Sequence, residues 1–148
     1  DLSQGDIILA EGYATGASLH MATEKPVAVA FDAGNLEPVA KKLREKFPNA
    51  AIIICADNDH KHTRRTSDGV EPWNKGVELA QKAAQEVGGK VVAPIFTDEE
   101  RARGLTDFND LHQSRGLDEV KRQVGIVLQK GVAQDKGQER GKARELSL

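Results

Sequence analysis

Four short apolar runs space themselves along the first two thirds of this chain: Ile7-Ile8-Leu9-Ala10, Val27 to Phe31, Ala51 to Ala56 and Lys90 to Ile95. Each is continuous rather than alternating, so a strand built from it must be covered on both faces. Between the runs, apolar residues recur at helical spacing. They are Ala17, Leu19, Met21 and Ala22 in Thr15–Thr23, then Val39, Ala40, Leu43 and Phe47 in Leu36–Phe47, then Val77, Leu79, Ala80, Ala83, Ala84 and Val87 in Asn74–Val87. A last helix is expected over Leu117–Leu128. Pro26, Pro48 and Gly88-Gly89 stand where the first three helices should stop. Pro94 cannot donate to a ladder, which predicts that the fourth strand lies at an edge. The order β-α-β-α-β-α-β-α predicts an α/β domain. Its central, mainly parallel sheet has about four strands, with helices on both faces and right-handed crossovers.

The chain of 148 residues suits one domain. It divides into a folded part, 1–128, and a C-terminal tail, 129–148, rich in Gly, Lys, Gln and Glu. The net charge of −2 and pI near 6.1 exclude a chain-wide basic footprint, so a nucleic-acid partner needs a local patch. The lone Cys55 excludes an internal disulfide and fits a reducing, cytoplasmic compartment. No apolar run approaches the ~20 residues of a membrane span. The chain opens at Asp1 rather than Met and reads as part of a longer polypeptide.

In parallel α/β sheets, function gathers at the carboxyl ends of the strands. Here those ends carry acids: Glu11 in "LAEGYATG", Asp32 after the second run, and Asp57 with Asp59 in "CADND". On extended backbone, residues i and i+2 face the same way, so Asp57 and Asp59 can address one point. If strands one and three are neighbours, about 4.8 Å apart, Glu11 completes a group of three carboxylates. Like charges so placed repel unless something positive lies between them. Three hard oxygen ligands suit Mg²⁺ or Mn²⁺ rather than Zn²⁺, and such an ion bridges protein and phosphate oxygens. The competing reading is that strand-end acids form turns and cap helices. Asp107, Asn109 and Asp110 in "GLTDFNDL" follow the fourth strand in a loop, where they either join the acid group or cap the last helix. His60 and His62 near Cys55 do not make a zinc site, because Cys55 is expected to be buried in strand three.

These motifs together resemble the TOPRIM domain of primases, topoisomerases and some nucleases, over about Ile7 to Val124. "AEGY" and "ADND" match the family's Glu after strand one and Asp-x-Asp after strand three. "EGYATGASLH", "VAFDAGNL" and "TDFNDL" are most similar to plasmid and phage primases, conjugative primases and primase-helicases among them. The resemblance implies a Rossmann-like fold and a DNA primase, a metal-dependent nucleotidyltransferase. Such an enzyme makes RNA primers from ribonucleoside triphosphates on single-stranded DNA, within a larger primase-helicase or relaxase chain. It implies Glu11, Asp57 and Asp59 as the catalytic and metal core around Mg²⁺ or Mn²⁺, with Asp107 and Asp110 as further ligands. Glu11 is then a general base or a further ligand. The same acids also suit a TOPRIM nuclease, or a nucleotide- or metal-binding domain without catalysis in a plasmid transfer or replication protein. A phosphorylation receiver is disfavoured, since Phe96 and Thr97, not a Lys, follow the last strand.

The chain departs from the family pattern twice. Replicative primases carry an Asp four residues after the Glu, where this chain has Thr15. The Gly that normally follows the Asp pair closely comes only at Gly76, after an insert from His60 to Lys75. Lys61, Arg64, Arg65 and Lys75 make the insert a candidate grip on template or triphosphate, or else a solvated loop. Trp73 either stacks on a base or anchors the loop. Tyr13 is expected to pack near the site. Gly12 and Asn35 are candidate nucleotide contacts. "DAGNL" offers helix-terminal amides to a phosphate, with Asn35 able to cap the helix, or is simply a strand-to-helix turn.

Overall fold

A computed structural model describes residues 5–128; the expected tail, 129–148, lies outside them. Strands β1 (Asp6–Ala10), β2 (Val27–Val29) and β3 (Ala51–Cys55) follow the apolar runs. So does β6 (Lys90–Val92), the last strand among the described residues. They form one parallel sheet in the order β2-β1-β3-β6. The edge position expected from Pro94 is the one β6 occupies. Beyond Pro94 the ladder is replaced by a side chain: Gln123 accepts from the Ile95 amide at 2.8 Å and donates to its carbonyl at 3.1 Å.

Alternation along the central strands sorts the core into two layers. Ile8, Ala10, Ile53 and Cys55 face α1 (Tyr13–Thr23), α5 (Phe108–Arg115) and the helical segment α6 (117–128), packing on Leu19, Phe108, Leu111, Val120 and Val124. Leu9, Ile52 and Ile54 face α2 (Leu36–Lys46) and α3 (Lys75–Val87), packing on Leu36, Ala40, Ala80, Ala83 and Val87. Two covered faces explain why the strand sequences carry no polar alternation. Gly16 lets α1 lie close on β2, since a Cβ there would stand 2.9 Å from a Val29 methyl.

Three regions differ from the sequence expectation. The His60–Lys75 insert is an antiparallel hairpin rather than a loop. It pairs β4 (Thr63–Thr66) with β5 (Gly69–Pro72) in a sheet of its own, closed by Ser67-Asp68. The segment after β6 contains α4 (Asp98–Ala102) and α5, each opened by a capping box, Thr97 with Glu100 and Asp107 with Asp110. Glu100 is buried. Burial opposes its ionisation, but the Ser114 hydroxyl, the Thr97 amide and Arg115 outweigh that and hold its carboxyl at about 2. Finally, a short 3₁₀ turn (Ala33–Asn35) precedes α2. It is capped by Asp32 accepting from the Gly34 amide at 2.9 Å, not by Asn35.

Arg44 ties the amino-terminal side of the sheet to the helix ends. Its Nε donates to the Val87 carbonyl at 2.9 Å, and its Nη1 to those of Phe47, Pro48 and Ala50 at 3.3, 3.0 and 2.6 Å. One guanidinium thereby joins the last carbonyl of α3 to three carbonyls of the turn between α2 and β3. Replacing it by an apolar chain of similar reach abandons them. Arg44→Met is expected to cost about 2 kcal/mol and to lower the melting temperature by roughly 10 °C. An unchanged thermal transition would show that water serves those carbonyls equally well.

Candidate metal centre at the carboxyl edge of the sheet

The site begins with strand pairing. Ala10 lies opposite Cys55 in the parallel register, and the Ala56 amide continues the ladder to the Val92 carbonyl at 2.8 Å. Glu11 and Asp57 therefore emerge side by side, close enough for each carboxyl group to shift the ionisation of the other. Burial, reinforced by Glu11, Asp107 and Asp59, pushes Asp57 up to about 8. Burial also raises Glu11, helped by Asp59 and Asp32 and opposed by the Asp57 carboxyl and the Lys75 ammonium. Asp57 Oδ1 is buried with no hydrogen-bond partner.

Asp59 is held differently. Its Oδ2 accepts from the Gly76 amide at 2.7 Å, and its own amide donates to Asn74 Oδ1 at 2.9 Å. At Gly76 a Cβ would stand 2.5 Å from the Asp57 carbonyl and 2.9 Å from Asp59 Oδ2, so only glycine allows α3 to approach this loop. The hairpin thus loops out and returns the chain to Gly76 against the Asp pair, which settles that departure from the family spacing.

Asp107 is brought to Asp57 by contacts the sequence does not announce. Asn58 donates its amide to the Thr106 carbonyl at 2.6 Å and its side chain to the Pro94 carbonyl at 2.9 Å. His60 Nε2 carries a proton to the Leu105 carbonyl at 2.8 Å, and Lys61 reaches the Ala102 carbonyl at 3.0 Å. Asn74 Nδ2 donates back to Asn58 Oδ1 at 2.8 Å. Together these residues lock the α4–α5 connection against the Asp57–Asp59 loop. Asp107, at the head of α5, accepts from the Asp110 amide at 2.7 Å. Its carboxyl is raised, chiefly by burial, against the lowering effect of the Asp110 amide and the nearby Thr15 hydroxyl. Thr15, 3% exposed, stands where replicative primases carry an acid, and here it supplies a hydroxyl. Asp110 Oδ2 accepts from the Thr106 and Asp107 amides at 2.9 and 3.3 Å, so its carboxylate is engaged in positioning Asp107.

Among the described residues, no three His, Cys, Asp or Glu side chains already ring one point. In place of the expected trio there is a touching pair, Glu11 and Asp57, with Asp59 and Asp107 alongside. The repulsion itself explains this, since carboxylates do not converge without a cation. The donor set nevertheless fits a small divalent ion. All groups are hard oxygens, one buried oxygen lacks any partner, and burial and neighbouring carboxylates raise Asp57 where no cation offsets them. Gly12 is neither crowded nor in a left-handed conformation, and it leaves open space beside Glu11.

The other candidates separate. Lys75, first in α3, lies close enough to counter the rise at Glu11. Arg64 is taken up by Glu71 at 2.5 Å, by Glu78 at 3.7 Å and by the Trp73 ring at 5.6 Å. Trp73 also donates its indole N–H to Glu78, so it anchors the base of the hairpin. Arg65 follows Arg64 on the strand, so it is exposed on the opposite face. Asn35 donates to the Ala30 carbonyl at 3.2 Å. Tyr13, expected to pack, is 74% exposed and lines a groove between α1 and β2 with Met21, Pro26 and Val27. Cys55 is fully buried in β3, as expected.

The pair gives the metal-free protein a pH dependence. In the unfolded chain Asp57 ionises near 3.9, whereas in the folded chain it holds its proton to about 8. A raised folded pKa means that ionisation opposes folding, so stability falls as pH rises across that window. Asp57→Asn removes the ionisation. It is expected to stabilise the metal-free domain at pH 8 by on the order of 1 kcal/mol after solvent screening, a gain that shrinks towards pH 4. Thermal melts of both proteins from pH 4 to 9 check this; a variant less stable throughout would contradict it.

Residues 6–118 match the family model described as Toprim domain. The chain is 45% identical over 94 residues, 64% of its length, to a DNA primase TraC of Escherichia coli. It is 41% identical over 96 residues, 65% of its length, to another. These stretches are only 6% and 9% of those two relatives. No solved structure matches the chain. With Glu11 and the Asp57-x-Asp59 pair on adjacent parallel strands inside the matched region, this chain belongs to the Toprim domain family.

Proposed function

We propose that this chain is the catalytic Toprim domain of a DNA primase, which joins ribonucleotides into primers on single-stranded DNA. The observation that carries the reading is the contact between Glu11 and Asp57 across two parallel strands, with a buried Asp57 oxygen left without a partner. The similarity to DNA primase TraC selects this chemistry among those open to the fold. Toprim domains bind divalent metal ions, and Glu11, Asp57 and Asp59 are the residues that would hold Mg²⁺ or Mn²⁺ here, with Asp107 beside them. A bound divalent cation supplies charge neutralisation at phosphate oxygens.

The protein's own groups provide the rest. Lys75 faces the acids and adds positive charge for a triphosphate. Gly12 leaves the approach to Glu11 open. The attacking 3′-hydroxyl gives up its proton to water. The new O–P bond then forms and pyrophosphate leaves. Arg65, on the exposed face of the hairpin, contacts the phosphates of the template. Lys61 and Arg64 are held by protein partners and shape the hairpin instead. The remaining template grip and the helicase or relaxase partners belong to a longer polypeptide.

A chimera tests this. Residues 6–118 replace the matching stretch of the Escherichia coli DNA primase TraC, and labelled ribonucleotides are offered on single-stranded DNA. Primer synthesis is expected, with Glu11→Gln, Asp57→Asn and Asp59→Asn each reducing it by at least about a hundredfold. Nicking of supercoiled DNA without primer synthesis would point to a hydrolytic Toprim enzyme. Full activity in all three variants would remove the acids from the chemistry.

A further inference from the structure

Phe31 is out of place by every criterion of folding. Its backbone sits at φ 70°, a left-handed conformation that bulky residues rarely adopt. Its ring is 77% exposed, while Phe96 and Phe108 are buried. Glycine would serve the turn better on both counts. The conformation is imposed from either side. Ala30 donates its amide to the Ala10 carbonyl at 2.9 Å and accepts from the Asn35 side chain at 3.2 Å. One residue further on, Asp32 caps the Gly34 amide at 2.9 Å. Backbone strain held at a fixed point, presenting a large apolar group to water, is the pattern of a binding residue.

The location says what binds. Ala10 precedes Glu11, so the bond from Ala30 places Phe31 just past β2, the strand beside β1, at the same carboxyl edge of the sheet as the acids. A ligand that spans both must carry phosphates at one end and a flat apolar face at the other. A nucleotide does, and its base can lie on an aromatic ring whatever its sequence. We infer that Phe31 is a stacking platform for a nucleobase whose phosphates face Glu11 and Asp57. This rests on the polyphosphate reading of the acid site and adds to it the contact that recognises a nucleotide as such.

The test uses the 148-residue chain with Mn²⁺ and two probes: adenosine triphosphate, and inorganic tripolyphosphate, which has no base. The wild type is expected to bind the nucleotide more tightly. Phe31→Gly should weaken nucleotide binding by roughly five- to a hundredfold, leave tripolyphosphate unchanged and not lower the melting temperature, since it relieves the left-handed strain. Phe31→Trp should retain the nucleotide preference. An oligothymidylate and its abasic counterpart form the second arm. A Phe31→Gly loss confined to the base-bearing oligonucleotide assigns the platform to a template base rather than to the incoming nucleotide. A preference for the base that survives Phe31→Gly in both arms overturns the inference, as does a variant that melts lower and loses both probes alike. Equal binding of nucleotide and tripolyphosphate by the wild type overturns it while leaving the acid site intact. Binding of neither probe overturns both.

Discussion

Negative charge concentrated where two parallel strands end is the constraint around which this domain is arranged. The pairing of β1 with β3 is dictated by apolar residues that must be covered on both faces, yet it delivers Glu11 and Asp57 into contact. Burial and the neighbouring carboxylates displace the ionisation of Asp57 well above the usual carboxylate range. A site of this kind is less stable by itself than with a cation among its oxygens, which is how binding energy comes to be stored in a folded chain.

Rigidity around the acids comes from backbone groups rather than from charge. Asn58, His60 and Lys61 pin the α4–α5 connection, Asn74 closes the loop on itself, and Gly76 lets α3 approach within hydrogen-bonding distance of Asp59. Each acid therefore hangs from a fixed element, which is what electrostatic catalysis demands of its groups. The hairpin is an excursion from this frame. It leaves after Asp59 and rejoins before Gly76, so its length is free to vary without moving the carboxylates.

Much of this was legible in the sequence, and for physical reasons. Continuous apolar runs announced strands buried on both sides, and acids directly after them announced the edge where chemistry gathers. What escaped had no periodic signal. Thr63–Thr66 reads TRRT, wholly exposed, so no hydrophobic pattern marks it as a strand, although the Asp68-Gly69 pair is a turn signal. Helices α4 and α5 have five and eight residues, too short for amphipathic spacing to stand out, yet Thr97-x-x-Glu100 and Asp107-x-x-Asp110 carry capping-box signatures that were readable. The division of labour between Asp107 and Asp110 follows from one being the cap and the other its reciprocal partner. That Asp107 approaches Asp57 depends on His60 and Asn58, contacts across more than forty residues that no local pattern encodes. The positive φ of Phe31 is likewise a product of tertiary hydrogen bonds on both sides of it.

The most direct measurement is a Mn²⁺ anomalous-difference map from crystals of the domain grown with the metal. The account predicts one strong peak at about 2.1 Å from carboxylate oxygens of both Glu11 and Asp57, with Asp57 Oδ1 as a ligand. A peak elsewhere on the surface, or none at saturating metal, would contradict it.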